Sequence, residues 1–246
     1  MIPVRIPSET ALEPRVRKLL AKRQKRADAF AKNDRRIEPS WKSFRGTKAA
    51  KGIALRLTQI FHGKCAYCEQ ESAKDIEHYF PKSAYPDRMF RWENFLWACK
   101  NCDTEKLDEF PVDPQGNAVL IHPGRDEPFD YFLWDFLSGK MVLHPDPARR
   151  ERARQTRDLL RLDQFSIADE RRNKFENVRY LLARLVKEEP VAEDTIARLR
   201  DELAAHRPWL SIIRQLFMRP DRYQLLVDAA RAKLPALDAW LQEWNR

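Results

Sequence analysis

The four cysteines of this 246-residue chain fall into two C-x-x-C pairs, and the chain has no others. The first pair is Cys65 and Cys68, and the second is Cys99 and Cys102. Two such pairs can place four thiolates tetrahedrally around one zinc ion, each about 2.3 Å from the metal. We therefore predict a closed structural zinc site, which supplies folding energy and leaves no coordination position for catalysis. Dithiol redox chemistry is the alternative, since a single C-x-x-C pair also occurs in redox proteins.

The charge balance is basic. The chain carries 46 Lys and Arg against 37 Asp and Glu, a formal net charge of +9. This excess favours a polyanionic partner such as nucleic acid, because basic side chains that neutralise phosphates release counterions. Solvated helix faces are the alternative. The basic runs KRQKR, ARRERARQTR and DERRNK fit both interpretations.

The first ten residues, MIPVRIPSET, have no apolar signal core. No segment approaches the roughly 18 consecutive apolar residues that a membrane-spanning helix needs. We therefore expect a cytoplasmic location. In that reducing compartment, cysteines are more often metal ligands or catalytic thiols than disulfide partners.

Apolar periodicity predicts an α+β fold that is mostly α, in three parts. Residues 1–62 are predicted to form N-terminal helices. Residues 63–147 are predicted to form a compact core with a small β layer, because they are dense in cysteine, proline and aromatic residues. Residues 148–246 are predicted to form a C-terminal helical domain.

Local patterns predict the elements within these parts. Helical spacing covers Ser8 to Lys32 and Ala49 to Phe61, with a loop from Pro39 to Gly46 between them. The β-prone runs are NAVLIH, YFLWDF and MVLH, and SGK is a predicted hairpin turn between the last two.

Asp146 followed by Pro147 predicts a helix N-cap with proline in the first turn. Beyond it the pattern is almost wholly helical. The predicted breaks lie at Gln164 to Ser166, Glu189-Pro190, Arg207-Pro208, Arg219-Pro220 and Leu234-Pro235.

An acid-histidine pair, Glu77-His78, lies between the two cysteine pairs, and Asp103 directly follows the fourth cysteine. A four-cysteine cluster would bring these three residues together although they are distant in sequence. Two carboxylates beside one imidazole suit a hydrated Mg²⁺ or Mn²⁺ ion, with a histidine that can deprotonate water near neutral pH. The alternatives are a core histidine bonded to a backbone carbonyl and two ordinary loop acids.

These motifs resemble those of the HNH, or ββα-metal, nuclease family. The family pattern is a C-x-x-C pair, an acid-histidine pair that ends a strand, a middle asparagine, and a second C-x-x-C pair followed by a metal-binding residue. The matching residues here are Cys65, Cys68, Glu77, His78, Asn94, Cys99, Cys102 and Asp103. Residues 40 to 165, which include FHGKCAYCE, DIEHYFPKS and LIHPGRDEPFDYF, further resemble the PtuB-type HNH subunit of Septu and retron antiphage systems.

The resemblance implies a role for each site residue. His78 would be the general base, Glu77 and Asp103 would hold a catalytic Mg²⁺ or Mn²⁺, and Asn94 would fix the loop that orients His78. Asp103 stands where the family usually has asparagine. Four basic side chains close to these motifs in sequence are candidates for phosphate contacts: Lys82, Arg88, Arg91 and Lys106.

The expected activity is metal-dependent phosphodiester hydrolysis of a nucleic acid, DNA rather than RNA. By the same resemblance, the partner is an ABC-type ATPase subunit of the PtuA kind. No G-x-x-x-x-G-K-[ST] run occurs in the chain, so ATP would bind the partner. A zinc-held nucleic-acid-binding or scaffold subunit without catalytic activity is the alternative function.

Overall fold

A computed structural model describes Met1 and residues 4–243. In this part of the chain a short 3-10 helix (Glu9–Ala11) and three α-helices precede the first strand: α1 (Pro14–Ala27), α2 (Ile37–Arg45) and α3 (Lys48–Ile60). The predicted helix ending at Phe61 is confirmed as α3, with the Thr47 hydroxyl accepting the amide N–H of Ala50 at its N-terminus.

The predicted loop from Pro39 to Gly46 was wrong, because this segment lies in α2. Proline is compatible with the first turn of a helix, where a backbone N–H has no intrahelical acceptor. Ile37, Trp41 and Phe44 recur at helical spacing and are all buried. An apolar stripe of this kind is typical of a helix, and it was overlooked in favour of the proline and glycine at the two ends of the segment.

The central element is a two-stranded antiparallel sheet followed at once by a helix. Strand β1 (Ala73–His78) pairs with β2 (Phe95–Cys99), and α4 (Lys100–Lys106) begins directly after β2. In this register Glu77 faces Leu96 and His78 faces Phe95. The acid-histidine pair therefore ends its strand beside the start of β2, as predicted.

A second antiparallel pair follows, β3 (Phe132–Trp134) with β4 (Met141–Leu143). This confirms the predicted hairpin through SGK. Its turn requires glycine, because Gly139 has a φ of +67° and a Cβ there would lie 2.0 Å from the carbonyl oxygen of Ala168. The run NAVLIH forms no strand and contributes one isolated bridge, from Ala118 to Val112.

From residue 147 to residue 243 the structure is largely helical, as predicted. The Asp146 carboxylate accepts the amide N–H of Arg149 at 3.0 Å and caps the helix that begins at Pro147. All five predicted breaks fall between or at the ends of helices. The helices are α5 (Pro147–Leu159), α6 (Phe165–Lys187), α7 (Glu193–Glu202), α8 (Leu210–Met218), α9 (Gln224–Lys233) and α10 (Ala236–Gln242).

One hydrophobic core runs through all three predicted parts. Helix α8 joins β3 to the first cysteine turn: Ser211 accepts the indole N–H of Trp134 at 2.9 Å, and its own amide N–H donates to Glu69 at 3.1 Å. Gln215 exchanges two further hydrogen bonds with the Trp134 backbone. The C-terminal helices are thereby fixed against the segment that carries Cys65 and Cys68.

Part of the basic run DERRNK is neither solvated nor available to a polyanion. Arg171 is 1% exposed, and its guanidinium stacks 3.7 Å from the ring centroid of Trp134. Lys174 is also buried and contacts Glu202. Within the described residues, no helix is both long enough and apolar enough to span a membrane.

Candidate active site

All four cysteines are buried in one cluster, with their sulfur atoms within 4.8 Å of one another. The Sγ atoms of Cys68 and Cys99 are 3.7 Å apart. Four sulfurs about 2.3 Å from a tetrahedral zinc ion would be about 3.8 Å apart, so the cluster fits such an ion. The predicted convergence of the two pairs is confirmed: the cluster could hold a metal ion such as zinc.

Each cysteine pair is held by local backbone structure. In the first turn, the amide of Cys65 donates to Gln70 and that of Ala66 donates to Trp97 on β2. In the second pair, Cys99 ends β2, and its sulfur accepts the amide N–H of Cys102 at the N-terminus of α4. The cluster thus fixes the start of α4 beside the sheet.

Glu77 lies at the end of β1 with its carboxylate buried. Its Oε1 forms an ion pair with the ammonium of Lys106, 2.8 Å away. Burial raises the pKa of Glu77 to about 7; Lys106 opposes this shift, and the nearby carboxyl of Asp103 adds to it. The structure thus brings Glu77 and Asp103 together, as predicted from sequence.

The His78 ring is buried between aromatic side chains. The centroid of Trp41 lies 4.3 Å from it in an edge-on arrangement, and that of Phe95 lies 5.5 Å away. Its Nε2 is 2.9 Å from the carbonyl oxygen of Met89. A carbonyl only accepts, so Nε2 carries the proton and Nδ1 carries the lone pair. Burial lowers the pKa of His78 to about 3, with Lys82 contributing, so the ring is neutral at physiological pH.

Asn94 is 1% exposed, and its side chain forms hydrogen bonds to both ends of the loop that follows His78. Its side-chain oxygen accepts the amide N–H of Phe80 at 2.7 Å. Its amide group donates to the carbonyl oxygens of Phe80 and Arg88, both at 3.0 Å. Because Arg88 directly precedes Met89, this network also positions the carbonyl that holds His78.

These groups open into a cavity of about 400 Å³. Its lining holds five carboxylates, from Glu38, Asp75, Glu77, Asp103 and Asp108, and three cations, from Arg45, Lys82 and Lys100. Each cation is paired with an acid of the same cavity, at 3.2 to 3.4 Å. The cavity is therefore acidic overall, a character that suits a bound cation.

Helix α2 supplies the part of this cavity that the sequence analysis missed. Trp41 and Arg45 come from the segment that was predicted to be a loop, and Glu38 directly precedes it in α2. Their helical spacing was the available indication. No local sequence pattern could predict that these residues lie beside His78, because their position depends on packing between segments that are distant in the chain.

The four predicted phosphate contacts lie in different places. Lys82 lines the acidic cavity, whereas Arg88 and Arg91 line a neighbouring cavity of about 320 Å³. Lys106 is 0% exposed, and its ammonium donates to the carbonyl oxygen of His78 at 2.9 Å. We therefore correct the interpretation of Lys106, which is a buried partner of Glu77 and not a surface contact for phosphate.

Replacing Asn94 with alanine is expected to lower the free energy of unfolding by about 2–3 kcal/mol, because three hydrogen bonds of a buried side chain to the backbone of Phe80 and Arg88 are lost. The matched control is Asn117→Ala, since Asn117 makes its bonds to Asp113 at the surface. The control should change stability by less than about 0.5 kcal/mol. Urea unfolding measures both, and equal losses would contradict the role given to Asn94.

Replacing Lys106 with methionine is expected to cost about 3–5 kcal/mol, because it leaves the buried Glu77 carboxylate without its cation. The double variant Lys106→Met/Glu77→Gln removes both charges and should be more stable than the single variant. Urea unfolding at mildly alkaline pH, where Glu77 is ionised, gives the comparison. A double variant as unstable as the sum of the two single variants would rule out a coupled ion pair.

The fold and site together define a class of protein: a mixed α+β chain in which a strand-strand-helix unit, built around a four-cysteine cluster, carries an acid-histidine pair. No protein-family model matches the chain. The chain is similar to the Septu protein PtuB of Bacillus thuringiensis, with 30% identity over 118 residues. That region is 46% of this chain and 42% of the relative, so the match spans less than half of either. It confirms the predicted similarity to PtuB-type proteins.

Proposed function

We propose that this chain is the metal-dependent HNH endonuclease subunit of an antiphage defence system. It hydrolyses phosphodiester bonds of nucleic acid, DNA rather than RNA, under the control of an ABC-type ATPase partner. The observation that carries the proposal is the convergence of Glu77, His78 and Asp103 beside the four-cysteine cluster. The similarity to the Septu protein PtuB supports the biological setting.

Glu77 and Asp103 would hold the catalytic Mg²⁺ or Mn²⁺. The buried carboxylate of Glu77 and the second carboxyl beside it, from Asp103, fit a hard cation that prefers oxygen ligands. When bound, such an ion stabilises negative charge on the scissile phosphate and on the departing oxygen. Asp75, which lines the same cavity, adds negative charge that favours a cation there.

His78 acts as the general base through Nδ1. The Met89 carbonyl accepts a hydrogen bond from Nε2–H and so fixes the tautomer, and Trp41 and Phe95 restrict rotation of the ring. A neutral ring with a lone pair at Nδ1 can accept a proton from water as that water attacks phosphorus. The network around Asn94 keeps the carbonyl, and through it the ring, in position.

The cations around the cavity orient the substrate. Lys82 is partly exposed and 3.3 Å from Glu38, and Lys100 is exposed and 3.2 Å from Asp103. Surface pairs of this kind are worth little in stability, so a phosphate can replace the carboxylate at small cost. We therefore place the scissile phosphate between these lysines and His78.

The test is cleavage of supercoiled plasmid by the purified chain, alone and with its co-expressed ATPase partner. Reactions contain Mg²⁺, Mn²⁺ or no added divalent ion, and zinc content is measured in each, so that loss of the structural metal is not mistaken for loss of the catalytic one. We expect cleavage only with Mg²⁺ or Mn²⁺, at constant zinc. Absence of cleavage in every combination, with zinc retained, would refute the proposal.

A non-catalytic scaffold is the second candidate function. The observation that favours it is the Lys106 ammonium, which already lies 2.8 Å from Glu77 and supplies positive charge where a metal would bind. A scaffold would bind nucleic acid or the partner equally well with and without His78. Cleavage that is lost in a His78 variant while binding persists would exclude it.

A further inference from the structure

A second cleft, distinct from the acidic cavity, has the opposite charge. It encloses about 920 Å³ between the N-terminal segment, the end of α3, the loop at 123–127 and the start of α8. Five cations line it, Arg5, Arg56, Lys64, Arg125 and Arg214, together with two carboxylates, Asp126 and Glu127. Its volume is within the range of pockets that bind small ligands.

The carboxylates of the cleft are already engaged. Asp126 pairs with Arg152 at 2.9 Å and accepts the Tyr131 hydroxyl, and Glu127 lies 3.4 Å from Arg214. Among the described residues, the other four cations of the cleft have no carboxylate within 4.0 Å. In the acidic cavity, by contrast, every lining cation is paired. The cleft thus gathers four cations that have no carboxylate in direct contact.

Two of these cations have hydrogen-bonding capacity to spare. Arg56 is half-buried on α3, and its Nε is shielded from water without a hydrogen-bond partner in the described chain. Lys64 is buried, and its ammonium donates only to the carbonyl oxygen of Arg207, at 3.1 Å. Glu69 and Glu71 act on Lys64 only from beyond 4.0 Å, so an anionic ligand in direct contact with these cations would offset part of the cost of burying them.

Hydrogen bonds hold the N-terminal segment that forms one wall of the cleft. The amide N–H of Val4 donates to the carbonyl oxygen of Pro123, which holds the N-terminal segment against the loop at 123–127. Further along the same segment, the carbonyl oxygen of Pro7 accepts the indole N–H of the buried Trp92 at 2.7 Å. The segment that carries Arg5 is therefore fixed before a ligand binds, which reduces the entropy lost on binding.

We propose that this cleft is a phosphate-binding site, separate from the nuclease site, whose ligand is recognised through two or more phosphate groups. Guanidinium groups match phosphate oxygens in a bidentate geometry, and Arg5, Arg56 and Arg125 come from three separate segments, so they can contact different phosphates. Two sources share this chemistry: a free nucleoside triphosphate and the backbone of a nucleic acid. In the acidic cavity, by contrast, a phosphate must first displace a carboxylate from each lysine.

The test measures the affinity of the intact, zinc-loaded chain for ATP, for adenosine and for a short single-stranded DNA oligonucleotide, without added Mg²⁺, by calorimetry or fluorescence anisotropy. We expect binding of at least one phosphate-bearing ligand and none of adenosine. Arg56→Gln should weaken that binding about tenfold. The exposed pair Arg5→Gln/Arg125→Gln serves as a second variant in case Arg56→Gln disturbs packing. The matched control is Arg219→Gln, an exposed arginine at the end of α8 outside the cleft.

The outcomes separate the ligand sources. If the cleft variants lose affinity only for ATP, the cleft is a nucleotide-binding site. If they lose affinity only for the oligonucleotide, and the remaining affinity depends less steeply on salt concentration, the cleft binds a nucleic-acid backbone. Adenosine binding as tight as ATP, or cleft variants that change no affinity more than Arg219→Gln does, overturns the proposal. Because binding is measured without cleavage and with His78 intact, this result is independent of whether the chain is a nuclease.

Discussion

Replacing His78 with alanine is expected to slow phosphodiester cleavage by about 10²–10⁴-fold, the usual contribution of a positioned general base. The structure makes this residue sensitive to substitution, because Nδ1 carries the lone pair only while Nε2 is held by Met89 at 2.9 Å. The measurement is the single-turnover rate on plasmid DNA at saturating Mg²⁺, with the ATPase partner present. Binding of uncleaved DNA should remain within about twofold.

The matched control is His206→Ala. His206 is an exposed histidine in the turn between α7 and α8 and does not line the acidic cavity. Its replacement should leave the cleavage rate unchanged. A second variant, His78→Asn, keeps a side-chain donor for Met89 but supplies no base, so it should be as slow as His78→Ala and more stable. A His78→Ala protein that remains folded and cleaves at the wild-type rate would refute the proposed mechanism.

Loss of the metal from the four-cysteine cluster is expected to unfold the centre of the molecule. Structural zinc contributes about 10–16 kcal/mol in small zinc-binding peptides, more than the stability of a typical domain. Cys99→Ser should have a large effect, because Cys99 is both a member of the cluster and the N-cap of α4. We expect loss of near-UV circular dichroism and of one zinc ion per chain.

Thiol chemistry provides the control for that prediction. With zinc bound, all four thiols should be unreactive toward an aromatic disulfide reagent, and a chelator should release all four together with the loss of structure. Dithiol redox chemistry would instead show one reactive pair in the folded protein. A chain that contains no zinc and melts at the same temperature with and without chelator would contradict a structural metal.

Sequence patterns could not show where two groups of basic residues lie in the fold, the run DERRNK and the cations of the cleft. The run DERRNK looked like a solvated or polyanion-binding face, yet Arg171 and Lys174 are buried against Trp134 and Glu202. The phosphate-binding cleft proposed above draws Arg5, Arg56 and Arg125 from three distant segments. No local pattern links them, because electrostatic proximity depends on distance in space.

The sequence by itself determined the cysteine cluster and several helix ends, because both depend on residues that are close together in the chain. The two C-x-x-C pairs predicted the cluster because four thiols of this spacing share one favourable arrangement, and Asp146-Pro147 and the later prolines predicted helix ends through backbone hydrogen bonding. Tertiary packing alone decided which groups meet at the site. It placed Trp41 over His78 and buried Lys106 beside Glu77, because these contacts depend on how the hydrophobic faces of α2, the sheet and α4 pack together.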